Sequence, residues 1–468
     1  MPVQWNALAR RLRGEIVRPG DERYEFARRL QNLEYDAINP AAVVYCETAQ
    51  DVGASIEFAR SGGIDVHVRS GGHSLNGLST GAGMVLDVSR INGVAVREGT
   101  VALGAGTQSL DALDVLAGTG KQIITGTFPT VAAGGFLSGG GIGWQTRGFG
   151  IGSDRVRSAT VVLADGRIAT CSAESEPDLL WALRGGGGGN FGVVTEFEVA
   201  PIDAPLLVGY EITWDVDVAA DVLTSWQTWC TAGGDFGSSL VVLPRFGPDA
   251  PPAVKVWGVH YGAPHGIERA LDDLVELAGT RPLRRWVGDQ LPYSTVMHER
   301  LCGEATVAQC HRTGSGPEAK GHRHPHTRQA YRLLADPVTP EQAGRSLAMW
   351  ETSPSWERYL LCIAVGGPTG GPESAYPHRD ARFLMGYQIA VRDQGASAEH
   401  FADVTTWADG ADEVLDPMAC GSYINFPSSR IRKGWARAYH RDALPRLLEV
   451  KAKYDPDDVF RHAQSLRP

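Results

Sequence analysis

Apolar residues at Val52, Ile56 and Ala59 fall on one helical face behind Thr48-Ala49-Gln50-Asp51. That tetrad has the form of a capping box, in which hydroxyl and carboxylate satisfy the first turn's free N–H groups. Gly62-Gly63 ends the helix, and an extended run follows at residues 65–70. Short strands are predicted at 84–88 and 101–105, then a helix at 110–116. Residues 160–163 and 167–171 flank Ala164-Asp165-Gly166, a hairpin signal. Ser175-Glu176-Pro177-Asp178 reads as the cap of a helix carrying Trp181. Strands and helices mix here without a regular alternation.

From about residue 206 the pattern changes. Long β-rich runs occupy 207–216, 239–246, 254–261, 359–365 and 382–391. Helical periods lie between them at 222–229, 267–277 and 340–350. That order predicts an antiparallel sheet covered by helices. The chain therefore divides into residues 1–205, 206–419 and 420–468, the last returning to the first domain. The fold class is α+β. Residues 313–323, rich in Gly, Ser, Lys and His, are the most loop-like segment.

A chain of 468 residues, 43% hydrophobic and 21% charged, can bury a large core as a soluble globular protein. A net charge of −10 argues against nucleic acid or an anionic membrane as the main partner. No uncharged apolar run approaches the ~18 residues of a membrane span, and no apolar stretch follows the basic residues near the N-terminus. The expected location is cytoplasmic. Seven scattered cysteines (46, 171, 230, 302, 310, 362 and 420), with no Cys-x-x-Cys, favour reduced thiols over a disulfide framework.

Candidate chemistry begins at Val68-Arg69-Ser70-Gly71-Gly72-His73-Ser74. Two glycines permit positive φ and close backbone approach, so peptide N–H groups can cradle a pyrophosphate. Arg69 would complete that anion site. His73 would stand where the reactive end of a large phosphorylated cofactor reaches.

This run resembles the covalent-flavin histidine site of the berberine-bridge-enzyme-like (vanillyl-alcohol-oxidase-type) FAD oxidases. Residues 126–131 with 134–144, 178–195, 422–426 and 450–460 carry the same resemblance, in the family's order, from about Asn39 to the end. It implies a PCMH-type FAD-binding domain of two subdomains plus the antiparallel substrate domain. It implies FAD bound covalently through the 8α-methyl at His73, which raises the flavin's appetite for hydride. It places the cofactor against Arg69, Ser70, Gly71, Gly72, His73, Ser74, Gly126, Thr127, Thr130, Val131, Gly134, Gly135, Ser138, Gly139, Gly140, Gly143, Asp154, Asn190, Gly192, Val193, Val194 and Asn425.

Two positions depart from many relatives. Phe128 stands where a cysteine forms a second flavin bond, so only the histidyl bond is available. Phe136 replaces a histidine that helps hold the flavin's N1–C2=O edge. Val131 occupies the position that admits or blocks O2, and its small side chain favours an oxidase. Tyr423, in Tyr-x-Asn, is the expected base that takes a substrate proton as hydride leaves carbon. Tyr387, following Tyr376-Pro377-His378-Arg379 and sharing a strand face with Met385 and Ile389, is a second candidate phenol. Trp257, Tyr261 and Tyr359 are candidates for an aromatic pocket.

No metal site is expected: His322, His324 and His326 with Cys310-His311 match no compact zinc spacing. Gly118-Thr119-Gly120-Lys121 lacks the Ser/Thr of a P-loop, and Gly148–Gly152 lacks the βαβ context of a dinucleotide fingerprint. The reading is an FAD oxidase acting with O2 on an alcohol or amine of a small natural-product intermediate and releasing H2O2, as a homodimer by family analogy. Its alternatives are a redox-neutral or cyclising flavoenzyme of secondary metabolism and an antibiotic-binding resistance protein.

Overall fold

The computed structural model describes residues 4–232, 236–244, 251–323, 325–367, 371–393, 395–429 and 433–468. The architecture is α+β, built on sheets of four, five and seven strands, with a two-stranded ribbon of Lys121–Gln122 and Ile202–Asp203. The capping box forms as expected: Thr48 Oγ1 accepts from Asp51 N at 3.1 Å, and helix Ala49–Gly62 ends on Gly63 at φ 61°. Strands Ala42–Tyr45, Met84–Asp87 and Val66–Arg69 pair in parallel, with Glu15–Val17 antiparallel on the outside. Val66–Arg69 ends directly at the Gly71-Gly72 loop.

The second sheet is antiparallel, five-stranded, and includes the hairpin of Val156–Val162 with Ile168–Cys171. Helix Pro177–Leu183 carries the buried Trp181, but Ser175 does not cap it. Glu176 is the N-cap, in the left-handed region at φ 50° and without a side-chain bond, so Pro177 at the first turn defines the start.

The large sheet has seven antiparallel strands, in the order Arg284–Leu291, Leu207–Asp215, Ala253–Tyr261, Phe236–Val242, Glu357–Ala364, Phe383–Val391, His326–Leu334. The outer strands 284–291 and 326–334 escaped the sequence reading. The run expected at 239–246 begins at Phe236, and its last two residues lie outside the described residues. Helices Ala219–Thr231, Pro264–Ala278, Pro340–Glu351 and Ala398–Leu415 lie on one face. Alternation decides what each strand residue meets. Leu360, Cys362 and Ala364 join the helix-side core, while Tyr359, Leu361 and Ile363 point to a cavity on the other face.

After the last sheet helix the chain crosses back beside strand His326–Leu334, where Cys420 N donates to Leu333 O at 2.8 Å. Helix Leu444–Tyr454 then packs on helix Pro177–Leu183. Its Lys451 is fully buried and donates from Nζ to Asp455 at 2.5 Å, to Phe460 O at 2.8 Å and to Asn190 O at 3.0 Å. A buried ammonium is tolerated only with such full satisfaction. One expectation about thiols is corrected: Cys302 and Cys310 form a disulfide, closing the turn after helix Tyr293–Cys302.

Candidate functional site

A cavity of about 560 Å³ lies between the large sheet and the two smaller ones. One wall is almost bare backbone, with Gly71, Gly72, Gly134, Gly135, Gly187, Gly188 and Gly189 lining it. Gly72 has φ +68°, a conformation that side chains resist. A Cβ on Gly71 would stand 2.9 Å from that of Ala132, so glycine lets the loop seat on the neighbouring segment. Asn190 fixes the other glycine run: its Nδ2 donates to Gly187 O at 3.3 Å and its Oδ1 accepts from Leu466 N at 2.9 Å. Lys451 holds the same residue by its carbonyl.

His73 stands on this wall. Its Nε2 lies 2.6 Å from Thr130 Oγ1, and its ring packs on Phe128 at 5.2 Å between centroids. Ser70, Ser74, Gly126, Thr127, Val131, Ser138, Gly192, Val194 and Asn425 join His73 around the cavity, as do both departure positions, Phe128 and Phe136.

Several expected cofactor contacts do other work. Arg69 is buried in an ion pair with Asp87 and donates to Ala27 O at 2.7 Å, so its charge is spent inside the first sheet. Asp154 binds Arg379, at 2.7 Å through Nη2, and ties the 152–155 turn to the 376–379 stretch. Thr130 stands behind His73, and Val193 belongs to the core under the parallel strands. Gly139, Gly140 and Gly143 are packing glycines off the cavity wall. A Cβ there would meet Asn425 Oδ1 at 2.1 Å, the Tyr376 ring at 2.8 Å and Thr125 O at 1.8 Å, respectively.

Tyr423 and Asn425 both reach the wall. The Tyr423 hydroxyl oxygen accepts from Ile142 N at 2.9 Å, Gly141 N at 3.0 Å and Asn425 Nδ2 at 3.1 Å. Burial pushes its pKa up to about 12, and those three donors pull it back toward ionisation. Tyr387 does not face the cavity. Met385, Tyr387 and Ile389 share a face as expected, but it is the helix side. There the Tyr387 hydroxyl donates to Ser346 O at 2.9 Å and the ring meets Trp407 edge-on. Tyr261 likewise packs edge-on to Phe149 and does not line the cavity.

The sequence reading missed Trp144, Arg300, Tyr331, Gln388 and His462 on the wall. A parity signal was available for Gln388. Phe383, Met385, Tyr387 and Ile389 form the more apolar face of their strand, so Leu384, Gly386 and Gln388 belong opposite. His326 packs on Phe401, and His324 lies outside the described residues.

A long cavity with one glycine-backbone wall and one aromatic wall fits a dinucleotide cofactor with a flat heteroaromatic end. The fold and this cavity define an FAD-binding protein. The FAD binding domain family matches residues 40–172, and the berberine and berberine-like family matches residues 422–467. The chain is 29% identical to the (R)-6-hydroxynicotine oxidase of Paenarthrobacter nicotinovorans, covering 98% of this chain and 97% of that protein. It is 27% identical to the FAD-linked oxidoreductase YgaK of Bacillus subtilis (strain 168), with 98% of each covered. Among solved structures, the glucooligosaccharide oxidase of Acremonium strictum shares the fold with TM-score 0.87 at 23% identity, covering 99% of this chain and 98% of that one. The chain carries an FAD binding domain and a berberine-like C-terminal segment, is similar over nearly its whole length to FAD-linked oxidoreductases, and is an FAD-linked oxidoreductase.

Among the described residues no helix is long and apolar enough to cross a membrane.

Proposed function

We propose that this protein is an oxidase that removes hydride from an alcohol or amine carbon of a small natural-product intermediate in secondary metabolism, with its FAD tethered through His73 alone. The observation that carries the reading is His73 itself, held on the glycine wall by Thr130 at 2.6 Å and flanked by Phe128 rather than a thiol. FAD, when bound, supplies the two-electron acceptor, which O2 regenerates with formation of H2O2.

The chain's own residues supply the rest. Thr130 orients the His73 imidazole. The glycine strip presents peptide groups without side chains to the phosphates. Tyr423 takes the substrate's hydroxyl or amine proton as hydride leaves the adjacent carbon. Among the described residues no carboxylate lines the cavity, and Tyr423 is the phenol whose anion three N–H donors stabilise, which favours it as the proton acceptor. Val131 keeps a small side chain on the wall, which leaves space for O2.

The substrate class follows from the opposite wall. Trp144, Trp257, Tyr331 and Tyr359 make it aromatic, suited to a compact ring system. Relatives whose names specify 6-hydroxynicotine or glucooligosaccharide span amines and sugars. The test is an oxygen-electrode screen of cyclic alcohols and amines with wild-type and Tyr423→Phe enzyme. Stoichiometric O2 uptake and H2O2 release, lost in the variant, are expected. Substrate turnover without O2 uptake would contradict the oxidase reading.

A further inference from the structure

The aromatic wall holds an unusual set of polar atoms. Trp144 Nε1, Trp257 Nε1, Tyr331 Oη and Arg300 Nε are buried atoms of residues on this wall and have no hydrogen-bond partner among the described residues. Each carries a hydrogen to donate. Among the described residues no Asp or Glu lines the cavity to receive them. Those atoms show almost no surface to water, so the wall's complementarity to a ligand rests on the Arg300 guanidinium, whose terminal nitrogens are not among them.

Arg300 gives that complementarity a sign. It stands on helix Tyr293–Cys302, which packs against strand Leu207–Asp215. Its guanidinium lies over the Trp286 ring at 5.1 Å. A Cβ on Gly209 would come within 2.5 Å of Nη2, so the strand keeps a glycine where the fork sits. The side chain is thus placed by its surroundings. Burial lowers its pKa, and Glu299 and Glu211 oppose that only from a distance. Among the described residues no carboxylate lies within ion-pair reach of it, and Glu211 is taken by Lys255 at 3.6 Å. Arg461, which also lines the cavity, is already paired with Asp65. A partly desolvated guanidinium without a counterion, on the wall of a substrate cavity, matches an anion in the ligand.

We infer that the substrate carries a carboxylate, bound by Arg300, and that this guanidinium selects acids over their neutral counterparts. The inference rests on the cavity being the substrate site of the proposed oxidase. Arg300 is here a specificity residue, and proton transfer stays with Tyr423.

The test uses the FAD-loaded enzyme and two matched probes, benzoate and benzyl alcohol, titrated by tryptophan fluorescence and flavin absorbance. Wild type is expected to bind benzoate at least about tenfold more tightly than benzyl alcohol, the scale of a charge-assisted bond. Arg300→Gln should erase that difference by weakening benzoate binding. Arg300→Lys, which keeps the charge and loses the fork, should retain part of it. Equal affinity for the two probes in wild type, no saturable benzoate signal, or an undiminished preference in Arg300→Gln would overturn the inference. In turnover, mandelate should exceed benzyl alcohol in kcat/KM through KM, and Arg300→Gln should level them. Because the titration needs no turnover, an enzyme that binds benzoate through Arg300 yet oxidises no alcohol or amine would defeat the oxidase reading alone.

Discussion

At the scale of single residues, Tyr423 and Tyr387 show how one ring in two surroundings serves two purposes. Tyr423 meets three N–H donors at its oxygen, which favours the anion. Tyr387 donates to a carbonyl, which favours the neutral phenol. Tyr423→Phe is expected to lower kcat by about 10²–10⁴, the range for losing a general base. Because burial holds Tyr423 near 12, the fraction ionised grows with pH. The wild-type rate should therefore climb through the alkaline range, and the residual rate of Tyr423→Phe should lose that slope. A stopped-flow pH profile of substrate-driven flavin reduction checks both. Tyr387→Phe should leave kcat within error and cost only the ~1 kcal/mol of one hydrogen bond in a denaturant melt. A large drop in kcat there would restore Tyr387 to the site.

At the scale of elements, the C-terminal helix reaches the cavity through Lys451. It joins Asp455, the Phe460 carbonyl and the Asn190 carbonyl, and Asn190 in turn shapes the Gly185–Gly189 loop. Lys451→Met removes one charge and leaves Asp455 buried. A loss of about 3–5 kcal/mol is expected by chemical denaturation, accompanied by weaker FAD retention. Stability within 1 kcal/mol of wild type would show that the cluster relaxes without cost.

The same scale shows what could be read in advance. Capping residues, hairpin glycines and apolar runs placed the elements that carry such local signals within a few residues, but left others unread, the 18-residue helix Ala398–Leu415 among them. The two outer strands were missed: Arg284–Leu291 is largely exposed and polar, and His326–Leu334 follows directly on the loop-like segment. The strand face of Tyr387 was misjudged because period two fixes which residues travel together, not which layer they meet.

At the scale of the whole molecule, the motif segments 68–74, 126–144, 185–195 and 422–426 converge on one cavity although they lie far apart in sequence. Their order was legible. The roles of Arg69, Asp154 and the 139–143 glycines were not, since a charged or small residue inside a motif can serve the scaffold as readily as the ligand. Arg300 and Tyr331 carried no motif at all, and only the sheet packing brings them to the wall.

Whole-molecule packing also sets an acid limit. Burial pulls His378 and His440 down to about 4. Their folded pKa is depressed below the ordinary value, so the unfolded chain binds protons first as pH falls. Stability is complete above about 6.5 and is lost progressively toward 4. Thermal melts from pH 7.5 to 4 should show this decline, steepest below 6.5. His440→Phe should shallow it, and a flat profile in wild type would refute the assignment.

The tether at His73 is tested most directly by acid precipitation of the purified protein, followed by mass analysis of its peptides. The account predicts a yellow pellet, one flavin mass on the peptide containing His73, none on the peptide containing Phe128, and a colourless pellet from His73→Ala. Free FAD in the supernatant of wild-type protein, with an unmodified His73 peptide, would contradict it.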